Sequence, residues 1–385
     1  MGYVCRSIAF ILSTMILKDS AKSAYACRIA FQNHKKDRMR HFVTFRSTPS
    51  FMEQVQDAIR KVQISSKIAI NDNNNILDLP AVDREAVAVA SRLSKRFTSL
   101  AKNNDCPNCW MQRAHCICSQ IKSIEHLLPS NLDRVFLILH HKEMGLAVDT
   151  AKLLLISMPT KARLVINGIG EEFQDSMQEL RDAIACNGND GSKRECIVLF
   201  PSDDASTFSD LILFDDEGAK KHDEKTMYDV IIIDGTWQQA RKIHQRYIPS
   251  VKEGGPRRVC LSQEALDILG GATSSKVVEE EKGTGRQLRR HPIQWKEVST
   301  LEATRLLFRD MIQVENGYPD TTQKGTVPEG EKCYDLLRKF QVLSDGAALR
   351  QLGPPRSKAR TKHDTFYAFK APRSDHDNTS SHSTL

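Results

Sequence analysis

Two short stretches carry residue types that do chemistry. The first is Asp234-Gly235-Thr236-Trp237, set directly after the aliphatic run Val230-Ile231-Ile232-Ile233. A carboxylate standing where a buried run stops is a candidate general base. Partial desolvation there would raise its pKa, while the N–H groups of a following helix would oppose the rise. An N-cap aspartate is the simpler alternative.

The second stretch is Cys106-Pro107-Asn108-Cys109, followed by Cys116-Ile117-Cys118 in a C-x2-C-x6-C-x-C pattern. Two close pairs joined by a short loop bring four thiolates to the corners of a tetrahedron, the set that a structural zinc ion prefers. A dithiol redox pair needs one C-x-x-C and no second pair beside it. His115 is placed to replace one thiolate. With four ligands already present the site is closed, so it holds a loop and does not activate a substrate. The other cysteines, Cys5, Cys27, Cys186, Cys196, Cys260 and Cys333, lack metal or redox spacing and read as isolated thiols.

The elements that must position these residues alternate regularly. Short β-branched runs predict strands over 134–139, 163–166, 195–200, 229–233 and 258–261. Helical spacing marks 83–97, 149–157, 171–186, 237–247, 299–312 and 331–340. This alternation predicts an α/β domain with a mostly parallel sheet and flanking helices, preceded by a small four-cysteine zinc module. In such a sheet ligands bind beyond the carboxyl ends of the strands, where Asp234 stands. Two polar stretches, 203–225 and 270–285, read as lengthened surface loops.

The chain has 385 residues, 40% of them hydrophobic, and a net charge of +7. That suffices for a buried core, with a mild basic excess that matters only where it is concentrated. Residues 1–80 read as an N-terminal extension and linker. Their first apolar run, 8–17, is too short to span a bilayer, so no membrane span is expected. The acid-poor segment after it suits a mitochondrial or plastid address, with an unprocessed tail of a cytoplasmic or nuclear protein as the alternative. Residues 81–345 form the main domain, with the zinc module at 106–118, and 346–385 read as a basic disordered tail.

Taken in order, the motifs resemble the DTW-domain family of tRNA-uridine aminocarboxypropyltransferases. The resemblance spans roughly residues 95–345 and rests on the cysteine cluster and four further stretches. These are His140-His141-Lys142-Glu143 with Asp149-Thr150, Leu199-Phe200-Pro201-Ser202 with Ala205, Asp234 to Trp237 with Ala240, and Leu288-Arg289-Arg290-His291-Pro292 before Ser299-Thr300-Leu301-Glu302-Ala303. Asp149 stands where the family usually has Asn.

The resemblance implies a fold like the knotted SPOUT methyltransferases. It also implies S-adenosylmethionine-dependent transfer of the 3-amino-3-carboxypropyl group to N3 of a tRNA uridine. Cofactor contacts would then come from Pro201, Ser202, Gly235, Thr236, Trp237, Leu288 and Thr300, and catalysis from Asp234. Arg241, Lys242, Arg289 and Arg290 would meet the RNA. Glu302 reads as a helix cap and Trp237 as a core residue or a flat wall for a base. A SPOUT-like RNA methyltransferase and a non-catalytic zinc-containing RNA-binding protein are the alternative readings. The sequence leaves the oligomeric state open.

Overall fold

A computed structural model describes residues 50–71, 81–186, 194–216, 226–271, 299–316 and 329–352. The described residues hold six strands, five of them at the β-branched runs and β4 in addition: β1 Leu132–His140, β2 Ala162–Asn167, β3 Arg194–Leu199, β4 Ser206–Thr207, β5 Met227–Asp234 and β6 Arg257–Cys260. They form one sheet of order β2-β1-β5-β3-β6-β4. Every neighbouring pair is parallel. Parallel neighbours need crossovers, and the crossovers cover both faces with helices.

The helices among the described residues are α1 Phe51–Asn71, α2 Ala81–Lys102, α3 Ala151–Ser157, α4 Asp175–Ala185, α5 Phe208–Asp216, α6 Trp237–Tyr247, α7 Gln263–Gly271, α8 Thr300–Asn316 and α9 Glu329–Leu352. Side chains alternate along the central strands, so one set faces each layer. Val135, Leu137, Leu139, Val230 and Ile232 share a core with α1, α2, α3, α8 and α9. Phe136, Ile138, Ile231 and Ile233 share the opposite core with Met177 and Leu180 of α4 and Ala240 and Ile243 of α6.

Three expectations need revision. Helix α1 lies in the stretch read as linker, yet Val55, Ala58, Ile59 and Val62 are buried in the main core. Residues 51–62 have amphipathic spacing, but the Asn-rich run that follows reads as a loop and makes the whole stretch read as linker. The acidic stretch 203–225 contains β4 and α5, and Phe208 and Leu211 are buried. Its acids mask two core anchors. Finally, α9 runs through Leu352, past the expected boundary at 345, because Ala347 and Ala348 pack into the core.

The amino ends of β1 and β5 are pinned by charge. Asp229 is fully buried, and Arg134 donates to both its oxygens, Nε to Oδ1 at 2.9 Å and Nη2 to Oδ2 at 2.6 Å. The two residues are partners in the strand register. No helix among the described residues is long and apolar enough to cross a membrane.

Candidate active site

β1 and β5 are neighbours, but the chain leaves them in opposite directions. After β1 it passes through α3, on one face, to β2; after β5 it passes through α6, on the other face, to β6. A divergence of this kind opens a crevice at the carboxyl ends of the two strands. Asp234 closes β5 there, 9% exposed, in register with Leu139 of β1. The next residue of β1, His140, pairs with Asn167 of β2, so three adjacent strand ends meet at one level.

Asp234 does not cap α6. Thr236 is the N-cap: its Oγ1 accepts the Gln239 N–H at 3.3 Å, and Gln239 Oε1 accepts the Thr236 N–H at 2.7 Å. This reciprocal box satisfies the helix start and leaves the Asp234 carboxylate outside that task. Gly235 joins the two. It has a φ of +155°, and a Cβ there would stand 3.1 Å from Gln239 Oε1 and 3.2 Å from His140 Cβ. The turn is tight because strand end, helix start and β1 converge on it.

Two further carboxylates share the crevice. Asp149, before α3, is 8% exposed and its Oδ1 accepts the Ala151 N–H at 2.8 Å. Burial first, and Asp234 next, push its pKa well above the usual carboxylate range. Glu143 is pushed up to about 7, again by burial and then by Asp234, while Arg96 and Lys142 pull the other way. Like charges around a desolvated site favour protons, and such shifts gather at functional sites.

The histidines at the end of β1 are neutral by the same logic. Arg92 must donate to His141 Nε2, so His141 carries its proton on Nδ1, which donates to the Asn167 carbonyl at 3.1 Å. His140 Nδ1 accepts the Lys142 N–H at 3.2 Å, and burial, with His141 second, lowers its pKa to about 4. The two rings stack with centroids 4.4 Å apart. Sequence reasoning assigned no task to Glu143, Asp149, Arg92 or Arg96. The His140-His141-Lys142-Glu143 motif was the available signal.

The remaining expected residues separate into groups. Trp237 is half-buried and stacks on Phe200 at 5.6 Å with ring planes 6° apart, and His244 stacks on Phe200 at 4.2 Å. Trp237 is thus packed into the second core, and the stack places it beside the Pro201-Ser202 turn. Ser202 Oγ donates to Asp204 Oδ1 at 2.6 Å. Arg241 and Lys242 are exposed on α6, with the Arg241 guanidinium 5.9 Å from the Trp237 ring centre. Arg246, on the same helix, instead grips Glu85 of α2 through Nη1 at 2.9 and 2.8 Å. Glu302 caps α8, accepting from Ser299 Oγ at 2.8 Å, and Thr300 is the first residue of that helix. Leu288, Arg289 and Arg290 lie outside the described residues, as does the tail beyond Leu352.

The cysteine module fits a tetrahedral metal. The four sulfurs lie within 4.8 Å of one another, with Cys106–Cys118 at 3.6 Å and Cys109–Cys116 at 3.7 Å. A tetrahedron with Zn–S bonds of about 2.3 Å has edges of about 3.8 Å. His115 is not in the set. Between the pairs, Trp110 takes a φ of +57° and enters the main core. There it meets the Phe51 ring edge-on at 6.3 Å, and Lys152 Nζ lies 5.5 Å from its ring centre. Lys152 is fully buried and donates to the carbonyls of Ala147 at 2.7 Å and Leu146 at 3.3 Å. The module therefore braces the loop that carries Asp149.

Neither curated proteins nor solved structures give a match to the chain. The family comparison is decisive by itself: the DTW domain matches residues 103–345, a span that holds the cysteine module, the crevice carboxylates and the Asp234 turn. With well over half of its length matched, the chain belongs to the DTW domain family, the family of tRNA aminocarboxypropyltransferases.

Proposed function

We propose that the protein transfers the 3-amino-3-carboxypropyl group of S-adenosylmethionine to N3 of a uridine in tRNA, with release of methylthioadenosine. The observation that carries this reading is Asp234: a buried carboxylate at the strand-end crevice, relieved of helix capping and set among other acidic groups. The sulfonium supplies its own leaving group, so the protein's work is to orient the reactants and move one proton.

Asp234 accepts the N3 proton as the new nitrogen–carbon bond forms and the carbon–sulfur bond breaks, its electron pair staying on sulfur. Acidic surroundings suit a positively charged co-substrate. Gly235 and the engaged Thr236 give the floor of the crevice its rigidity. Arg241 and Lys242, exposed on the helix that starts there, suit the phosphates of a tRNA. The four cysteines would hold a structural zinc ion away from the reacting atoms.

The test is a product assay with S-adenosylmethionine and unmodified tRNA. Methylthioadenosine and a 3-amino-3-carboxypropyl uridine are expected. S-adenosylhomocysteine would assign a methyltransferase instead, and absence of both nucleoside products would leave a binding protein.

A further inference from the structure

Asp149 has one oxygen accounted for and one not. Oδ1 accepts the Ala151 N–H, whereas Oδ2 is buried without a hydrogen-bond partner among the described residues. The side chain is more than nine-tenths buried, so this acceptor has no water to replace a partner. A buried acceptor left this way costs about 1–3 kcal/mol, and more when charged.

Its surroundings worsen the cost. Asp234 and Glu143 both add negative charge, and Lys152 offsets it from the adjoining helix. Lys152 Nζ is occupied with the Leu146 and Ala147 carbonyls. What the crevice calls for is a ligand group that donates hydrogen bonds and carries positive charge. A sulfonium has the charge but no N–H. A primary ammonium has both.

We propose that Asp149 is an ammonium subsite, accepting from the α-ammonium of an amino-acid side arm bound at the ends of β1 and β5. This rests on the functional reading above and adds to it. Because the side arm is the group transferred, holding its ammonium at Asp149 keeps the arm beside Asp234, where the acceptor nitrogen must lose its proton. Asp149 thereby helps to decide which carbon next to sulfur is presented. On binding, the Asp149 proton is exchanged for the ammonium, so proton release accompanies uptake of the ligand.

Calorimetry with three ligands separates the possibilities: S-adenosylmethionine, S-adenosylhomocysteine, which keeps the ammonium but has no sulfonium, and methylthioadenosine, which has neither. Asp149→Asn keeps the acceptor for the Ala151 N–H. It should weaken the first two ligands by roughly tenfold to a hundredfold, leave methylthioadenosine unchanged and reduce proton release. Equal weakening of all three would make Asp149 a scaffold residue and overturn the subsite. Weakening of S-adenosylmethionine alone would overturn it as well, since the sulfonium would then be the group sensed. Should Asp149→Asn fail to fold, Asp149→Ser also retains a helix-start acceptor, and the same ligand pattern is required of it. A wild-type protein that binds none of the three overturns the functional reading itself, an outcome distinct from normal binding with an unaltered variant.

Discussion

The two ends of β5 each bury an aspartate, and they are built on opposite terms. Asp229, at the start, meets the Arg134 guanidinium through two hydrogen bonds. Asp234, at the finish, shares its surroundings with the carboxyl groups of Glu143 and Asp149. The first arrangement is saturated and holds two strands in register. The second is stressed, and stress of this kind persists only where a ligand or a reaction uses it. One strand thus carries a structural end and a chemical end, and five manipulations test the division.

The largest effect should come from stripping the cysteine module of metal, since zinc binding in small modules is worth about 10–16 kcal/mol. We expect about one zinc per chain in the purified protein. Chelation should raise amide hydrogen exchange over 144–152, next to the chemical end, through loss of the Trp110–Lys152 brace, while the Arg134–Asp229 end stays protected. Uniform loss of protection would break the comparison, and absence of metal would remove the zinc assignment.

Next in size are the aspartates themselves. Asp234→Asn should slow single-turnover transfer by ~10²–10⁴-fold, the scale of general-base assistance, with cofactor affinity kept. Asp229→Asn should do the reverse: it leaves Arg134 without its charged partner and costs about 3–5 kcal/mol of stability, with the rate per folded molecule unchanged. Near wild-type transfer by Asp234→Asn would take that residue out of catalysis.

Glu143→Gln acts through pH. The folded-state pKa is about 7 against an ordinary 4.5, so the folded protein holds a proton that the unfolded chain releases between those values. Stability contributed by this group therefore falls as pH rises through that window, by at most about 3 kcal/mol. The variant should gain on the wild type from pH 4.5 to 7 and hold a constant lead above it, as read from denaturant midpoints. A constant difference throughout would mean that Glu143 is not held protonated.

The smallest effect belongs to Thr236→Ala, about 1 kcal/mol of stability from the lost cap. Transfer should survive in the folded fraction, because Asp234 is not the cap. A rate loss comparable to that of Asp234→Asn would merge the two residues into one function.

Much of this was legible in the sequence, and the exceptions have physical causes. Aliphatic runs in central parallel strands are buried on both faces, so β1, β2, β3, β5 and β6 stand out, and α6 has the bounds its spacing predicts. Helix α5 was obscured because acidic neighbours dominate its local composition, and α1, amphipathic over 51–62, read as linker because an Asn-rich run follows it. The Thr236-Trp237-Gln238-Gln239 capping pattern is present in the chain, beside an aspartate that is itself a common cap residue. The strand-end place of Asp234 was legible, but the gathering of Glu143 and Asp149 around it was not. Glu143 and Asp149 reach Asp234 only through the β1–β5 register and the brace on Lys152, neither of which is encoded by local spacing.

One contact sets a timetable for synthesis. The Gln112 N–H, inside the cysteine module, donates to Gln351 Oε1 near the end of α9, across 239 residues of chain. Translation at ~5–20 residues per second puts roughly 10–50 s between the two partners. During that interval the six strands are made after the module and before the helix that covers them, whose core residues Leu337 and Phe340 come only near its end. The nascent chain thus waits with an open flank, and the crevice becomes fully supported only when the turns near Leu352 are in place.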